Sequence, residues 1–433
     1  MKEKMKKVLM MLAMLLLLVA SAVAQSVRKE IEENIRLSAA NHLAYPTPDT
    51  KKLQAAPDGK KPFYISHYGR HGSRYLIGRD EYEEPYKVLA AAEKAGVLTD
   101  LGREVMEKIC ILKEEAAGRY GELSPLGARQ HREIAKRMYE RFPEVFADDS
   151  EIDAKSTIVI RCILSMTNAI NQLTALNPKL KVRCDASNHD MYYMNFDDKV
   201  TKEKTKTAEA KRAYEDYCAL YPTHERLVHA LFSDSVYVSE EVDAVRFYDR
   251  LFKLASTVQN TESRTKVTMY DLFTDEELYL NWKKGNARWY MGYASCPLTG
   301  GDQPFVQRRL LRKIIEEADS CIALDHPGAT LRYGHETMIL PLTCLLGING
   351  YDKSIDNLDN LEKSGWVNYR IFPMGANIQF VFYRKDVSDD DVIVRVLLNE
   401  NEATLPMKTN IAPFYHWKDV REYYLDKLDT FRE

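Results

Sequence analysis

The chain has 433 residues, 45% of them apolar and 29% charged, with a formal net charge of −3 at pH 7. This is the composition of a globular protein and excludes disorder, collagen and coiled coil. The slightly acidic balance also argues against a nucleic-acid binder, which carries a basic excess to replace phosphate counterions.

In chain order, Lys2, Lys4, Lys6 and Lys7 precede a Leu/Met-rich run from Val8 to Ala20. At 13 residues that run is too short to span a bilayer as a helix. With the small residues Ser21-Ala22-Val23-Ala24 behind it, residues 1–24 read as a signal peptide cut after Ala24. No cysteine lies near the cut, so a lipid anchor is not expected. An exported protein is implied, periplasmic or secreted, with no membrane span after the signal is removed. Losing four lysines and Glu3 moves the net charge to −6, so any anion the protein handles must be met by local charge.

Val27, Ile31, Ile35 and Leu37 give helical spacing within Ser26–Ala40, which Pro46-Thr47-Pro48-Asp49 breaks. Lys61 to Tyr68 alternates and is rich in aromatics, which predicts a strand running into Gly69-Arg70-His71-Gly72-Ser73-Arg74. Glu84 to Gly118 is helical in pattern, and a further helix to about Phe142 starts with Ser124 as N-cap and Pro125 at its first position. The β-branched run Ser156 to Cys162 is expected as a buried strand, with Leu164 to Ala175 helical after it. From about 180 to 325 the chain turns to long charged and aromatic stretches, expected as a mostly helical insertion. Ala329 to Gly334 then predicts a short strand, His335-Glu336-Thr337 a turn, and Met338 to Leu346 an apolar helix. Phe380–Tyr383 and Val392–Leu398 form two strands around a solvated acidic turn at Asp386, Asp389, Asp390 and Asp391, and Tyr415 to Phe431 makes a last helix. The pattern is that of an α/β protein: a core from 25–179 and 326–433, interrupted by a helical cap from 180–325.

Seven cysteines, an odd number at wide spacing, give no readable disulfide framework. Without a C-x-x-C pair, and with His224 and His229 five residues apart, no zinc site is expected. His335-Glu336 lacks the second histidine of a zinc protease motif.

The residues that carry chemistry stand at two strand ends, where ligands gather in α/β sheets. Arg70-His71-Gly72-Ser73-Arg74 places two guanidiniums around an imidazole, and Gly72 is expected to let the backbone approach a ligand. Arginine forks suit phosphate oxygens, and a histidine among them can act as a nitrogen nucleophile.

With R-H-G-S-R at Arg70–Arg74 and His335-Glu336 far downstream, the sequence resembles the histidine phosphatase superfamily, in its branch of acid phosphatases, phytases and multiple inositol polyphosphate phosphatases. Arg161 matches a third family arginine, Leu123–Gly127 with Gln130 resembles an L-T-x-x-G-x-x-Q segment, and Val394–Glu400 resembles a late core strand. The resemblance implies a central mixed sheet flanked by helices, of the phosphoglycerate-mutase kind, with a mostly helical cap. It implies a phosphomonoesterase acting on small phosphate monoesters, inositol polyphosphates first, with no cofactor and no metal. His71 would be the nucleophile and form phosphohistidine. Arg70, Arg74, Arg161 and His335 would hold the phosphate, and Glu336 would protonate the leaving group. The alternatives are a broad acid phosphatase acting on sugar phosphates and a phosphate-ester binding protein that has lost turnover; retention of both His71 and Glu336 speaks against the latter.

Two departures stand out. Leu76 replaces a proline common in the family, which should loosen the turn after Arg74. Glu336 directly follows His335, where relatives have aspartate, or glutamate one residue later. The basic stretch Lys199, Lys202, Lys204, Lys206, Lys211 and Arg212 could receive a polyphosphorylated ring, but a solvated helix face explains it as well.

Overall fold

The computed structural model describes residues 27–48, 53–57 and 59–431. The expected signal peptide, 1–24, lies outside them. No helix among the described residues is long and apolar enough to cross a membrane.

The centre is an eight-stranded mixed sheet. Its strands are β1 (Lys61–Arg70), β2 (Glu151–Ser156), β3 (Lys181–Asp185), β4 (Gly328–Gly334), β5 (Asn377–Arg384), β6 (Ile393–Leu398), β7 (Asn401–Ala403) and β8 (Tyr415–His416). The order is β3-β2-β4-β1-β5-β6-β7, with β8 paired to β6. The first four strands are mutually parallel, while β5 runs antiparallel to β1 and begins an antiparallel edge. The longer helices are α1 (Asp80–Ala95), α2 (Asp100–Ala116), α3 (Pro125–Arg141), α4 (Ile160–Leu176), α5 (Ala244–Val258), α6 (Asp275–Tyr293), α7 (Arg308–Ile322), α8 (Glu336–Leu346) and α9 (Trp417–Asp429).

Alternation along β1 sends its side chains to two faces. Tyr64 and Tyr68 pack with α7, α8 and α9, whereas Ile65 packs with Ala135 and Met138 of α3 and with Met166, Ala169 and Leu173 of α4. A third core lies beside the sheet, where Tyr75, Leu76, α1 and α2 close on Leu227, Phe247, Leu251, Leu254 and Met269.

Several expectations move. The strand expected at Ser156–Cys162 lies upstream at Glu151–Ser156, and Arg161 sits in the first turn of α4. The run that misled is not buried as a whole: Ile158 and Ile160 are 47% and 61% exposed. Glu84–Gly118 is two helices, broken where Gly96 takes a left-handed conformation and Thr99 caps the next helix by accepting from the Gly102 N–H. The stretch 180–325 divides between two cores: residues near 227–278 join α1 and α2, whereas those near 287–318 pack on the sheet. Its first residues add the edge strand β3, whose largely exposed side chains left no hydrophobic alternation to read. The expected turn at His335-Glu336-Thr337 is instead the start of α8, with His335 as its N-cap residue. Ser124 caps α3 as expected, accepting from the Gly127 N–H, with Pro125 in the first turn.

Candidate active site

Register brings the two motifs together. β1 and β4 are parallel with Arg70 opposite Gly334, so His71 and His335 leave the sheet side by side, their rings 5.7 Å apart. Ser156 of β2 lies opposite Tyr333, which puts Thr157 next to them; its Oγ1 is 3.2 Å from His335 Nε2. All three strands end at the same edge, the carboxyl end of the parallel strands, where ligands gather in such sheets.

The loop after β1 is held by backbone-directed bonds from both helices behind it. The Gln130 side-chain oxygen accepts from the Ser73 N–H at 2.8 Å, and the Ser165 hydroxyl accepts from the Gly72 N–H at 3.2 Å. Ser73 Oγ donates to Asn260 Oδ1 at 2.7 Å, tying the loop to the segment after α5. Gly72 has a different purpose from the one expected. A Cβ there would fall 2.5 Å from the Gly127 carbonyl oxygen, and one on Gly127 would fall 2.2 Å from Ser73 O. The two glycines let loop and helix touch backbone to backbone. Leu76 does not loosen the turn either, since its N–H, which proline would lack, donates to Tyr82 Oη at 2.9 Å.

His71 is fully buried, and its Nδ1 lies 2.9 Å from Gly72 O. A carbonyl can only accept, so Nδ1 carries the hydrogen and Nε2 keeps its lone pair. Burial, with Arg70 alongside, outweighs Glu336 and holds the imidazole well below its ordinary pKa, so the ring is neutral. Arg70 donates through Nη1 to Asn41 O at 2.8 Å and Phe372 O at 2.7 Å, which aims its remaining nitrogens inward. Burial lowers its pKa to about 10, where it is still charged at neutral pH. Arg74 donates to Tyr75 O at 2.9 Å. Arg161 lies with Nη2 3.4 Å from His335 Nδ1 and Nη1 3.4 Å from Gly121 O. Burial and then Arg161 push the His335 pKa down to about 4.

Glu336 is the carboxylate that pairs directly with these cations among the described residues. It lies 3.2 Å from Arg70 Nε, 3.4 Å from His71 Nε2 and 4.0 Å from Arg74 Nη2. Burial alone would raise its pKa, but Arg70, His71 and Arg74 prevail and hold it well below the usual carboxylate range. Even so, Arg70 Nη2, Arg74 Nε, Arg161 Nε and His71 Nε2 are buried with no hydrogen-bond partner among the described residues. Each of the orphaned guanidinium donors costs about 1–3 kcal/mol, recovered when an acceptor arrives, whereas His71 Nε2 keeps an unshared lone pair. The pocket is therefore built to receive an oxyanion. His71, His335 and Glu336 also bring ligand-type atoms within 4.8 Å of one another, but three guanidiniums around them oppose a metal cation.

All six residues singled out from the sequence converge here. The reading missed Thr157, Ser165, Asn260 and the carbonyls of Asn41 and Phe372, which act on the motif from distant segments and carry no sequence signature of that role. Of the lysine-rich stretch, Lys202, Lys206 and Lys211 pair with Asp197, Glu203 and Glu215, and Lys204 pairs with Asp302, as a solvated face does.

The model of the histidine phosphatase superfamily (branch 2) matches residues 25–399. The chain belongs to that superfamily. This histidine phosphatase is 26% identical over 332 residues to multiple inositol polyphosphate phosphatase 1 of Gallus gallus, covering 71% of this chain and 70% of that protein. Its fold is similar to that of the Bifidobacterium longum multiple inositol polyphosphate phosphatase in complex with inositol hexasulfate, with TM-score 0.69, 16% identity, and 89% and 97% of the two chains covered. It is also similar to the phytase from D. castellii, with TM-score 0.65, 16% identity, and 92% and 86% covered. At these identities the likeness to solved structures speaks for the fold.

If the orphaned donors await an oxyanion, orthophosphate must stabilise the protein by mass action, about 2.7 kcal/mol at one hundred times its Kd. The melting temperature should rise with orthophosphate and not with sodium chloride of equal ionic strength, and Arg161→Ala should shrink the rise. Identical curves in the two salts would contradict the assignment.

Proposed function

We propose that this chain is an exported phosphomonoesterase that hydrolyses inositol polyphosphates, and small phosphate monoesters generally, through a phosphohistidine intermediate on His71. The observation that carries the reading is the lone pair of His71 Nε2, fixed by the Nδ1 bond to Gly72 O, in a site where Arg70 Nη2, Arg74 Nε and Arg161 Nε have no acceptor among the described residues. The relatives named for inositol polyphosphates and phytate support the substrate class. Export rests on the basic, apolar and small-residue order of residues 1–24, and mature protein recovered from the native cell should begin at Gln25, whereas an intact Met1 would contradict it.

In the first half-reaction, His71 Nε2 attacks phosphorus in line, the N–P bond forms and the P–O bond to the alcohol breaks. Arg70, Arg74, Arg161 and His335 hold the non-bridging oxygens, whose charge shifts as the bonds exchange. The leaving alkoxide takes a proton from Glu336. That proton enters with the substrate: a phosphate draws Arg70 and Arg74 off the carboxylate and adds negative charge beside it, which raises the pKa that those arginines hold down in the free site. In the second half, Glu336 takes a proton from water as the water attacks, the N–P bond breaks and phosphate leaves. The same carboxyl serves both directions. The side chains supply the positive charge that metal ions supply in other phosphoryl-transfer sites, so turnover needs no added metal.

The test of these roles is Glu336→Gln, assayed in EDTA-containing buffer. Loss of a general acid costs about 10²–10⁴-fold on alkyl phosphates and much less on p-nitrophenyl phosphate, whose leaving group needs little protonation. Equal losses on both esters would remove Glu336 as the acid, and abolition of wild-type activity by EDTA with restoration by magnesium or zinc would refute the metal-free chemistry.

A further inference from the structure

Strand β6 ends in a two-residue hairpin, Asn399-Glu400, and the chain returns as β7 with Leu398 opposite Asn401. Both turn residues take the left-handed conformation, with φ of +52° and +65°, and both are buried. Asparagine tolerates that region, but the second position of such a turn favours glycine, and here it carries a glutamate. The contacts of that glutamate account for it. Glu400 accepts from Arg137 Nε at 2.9 Å, from Arg137 Nη2 at 2.8 Å and from Tyr45 Oη at 2.9 Å, while Arg141 donates to its backbone carbonyl at 2.6 Å. Arg137 and Arg141 belong to α3, the helix whose first half holds Gly72 and Ser73 of the catalytic loop. The hairpin is thus locked to the same helix as the loop, although no step of the chemistry above uses it.

Asn399 carries this fixed corner toward the active site. Its N–H donates to Asn377 O at 2.7 Å, its Oδ1 accepts from the Asn377 N–H at 3.0 Å, and its Nδ2 donates to Arg370 O at 3.0 Å and Ile371 O at 3.2 Å. One side chain therefore ties both ends of the stretch from Arg370 to Asn377. Between those ends lie the groups that meet the catalytic motif. Phe372 O accepts from Arg70 Nη1 at 2.7 Å, Ala376 O accepts from the Arg70 N–H at 2.7 Å, and the Gly375 N–H donates to His71 O at 2.9 Å. Tyr45 closes the circuit, since its hydroxyl accepts from Asn377 Nδ2 at 3.0 Å while donating to Glu400. A guanidinium aimed by carbonyls is placed only as well as the carbonyls are, and the one from Phe372 follows directly on Ile371, which Asn399 holds.

We propose that Asn399, held in place by the Glu400 turn, is a positioning residue for Arg70: it fixes the Arg370–Asn377 stretch and, through Phe372 O, sets the guanidinium that holds the phosphate. This rests on the reading of Arg70 as a phosphate holder, but binding can be measured without turnover.

The test is a double-mutant cycle read by titration calorimetry with orthophosphate, at a temperature where melting curves show every variant folded. Asn399→Gly keeps the left-handed backbone and removes only the side chain. It should raise the Kd by about ten-fold, the scale on which a displaced binding group is felt. In the Arg70→Lys background, where the charge remains but the fork aimed by Phe372 O is gone, the same substitution should change the Kd by less than about two-fold, because residues that act through one group are not additive. Val105→Ala, in the separate core under α1 and α2, serves as the control for lost stability and should leave the Kd within about two-fold of wild type. A Kd for Asn399→Gly within two-fold of wild type, a loss that persists undiminished in the Arg70→Lys background, or an equal loss in Val105→Ala would each overturn the proposal. Should Asn399→Gly not fold, Asn399→Asp replaces it under the same thresholds, since aspartate tolerates the same φ and keeps the acceptor but loses both donated bonds. If neither folds, Asn399 serves the fold as a whole and the proposal falls. Turnover of p-nitrophenyl phosphate by the wild type reports separately on the enzymatic reading, and its absence would sink that reading whichever way the binding cycle falls.

Discussion

Like charges crowded into a buried site repel, and in this protein the Glu336 carboxylate offsets that repulsion only in part. Arg70, Arg74 and Arg161 sit close to one another at the edge of the sheet, and burial already lowers Arg70 to about 10. Glu336 offsets part of that charge but not its hydrogen-bonding demand, since three guanidinium nitrogens stay without acceptors among the described residues. A phosphate satisfies both demands at once, with charge of the right sign and oxygens in several directions. The rest of the local architecture keeps the cations where they are despite their repulsion.

That task falls to the sheet register and to the segments packed behind the catalytic loop. The parallel pair β1 and β4 decides that His71 and His335 emerge together, and α8, starting at Glu336, delivers the carboxylate from its first turn. α3 and α4 then grip the loop through its peptide groups, by Gln130 and Ser165 and by the backbone contact between Gly72 and Gly127. These two helices hold the peptide groups of the loop, and Arg70 Nη2, His71 Nε2 and Arg74 Nε keep no hydrogen-bond partner among the described residues. The two carbonyls on Arg70 come from residues 41 and 372, so the N-terminal segment and the stretch before β5 both close on one guanidinium.

Much of this was legible in the sequence, for physical reasons that differ by position. Strand β1 alternates and ends in an arginine-histidine cluster, and α3 announces its own start with Ser124 and Pro125, because capping and patterning are local. Arg161 was identified by its motif but misplaced in structure: the β-branched run before it is half exposed, and only packing distinguishes a loop and helix start from a strand. β3 is an edge strand with little burial and so lacked any pattern to read. Gly72 looked like a ligand contact, whereas its missing Cβ is needed by Gly127, a contact no single segment encodes. Glu336, although directly after His335, still reaches His71 and Arg70 because it opens a helix rather than lying in a turn. Thr157 and Asn260 are brought in by tertiary folding alone.

The central claim is that His71 Nε2 forms a bond to phosphorus. Rapid acid-free quenching of the enzyme during turnover of p-nitrophenyl phosphate, followed by peptide mass spectrometry, tests it directly. The account predicts a phosphoryl group on the peptide bearing residue 71, absent in His71→Ala, and longer-lived in Glu336→Gln because the carboxyl that activates water is gone. A phosphorylated peptide that lacks residue 71, or substantial turnover by His71→Ala, would contradict it.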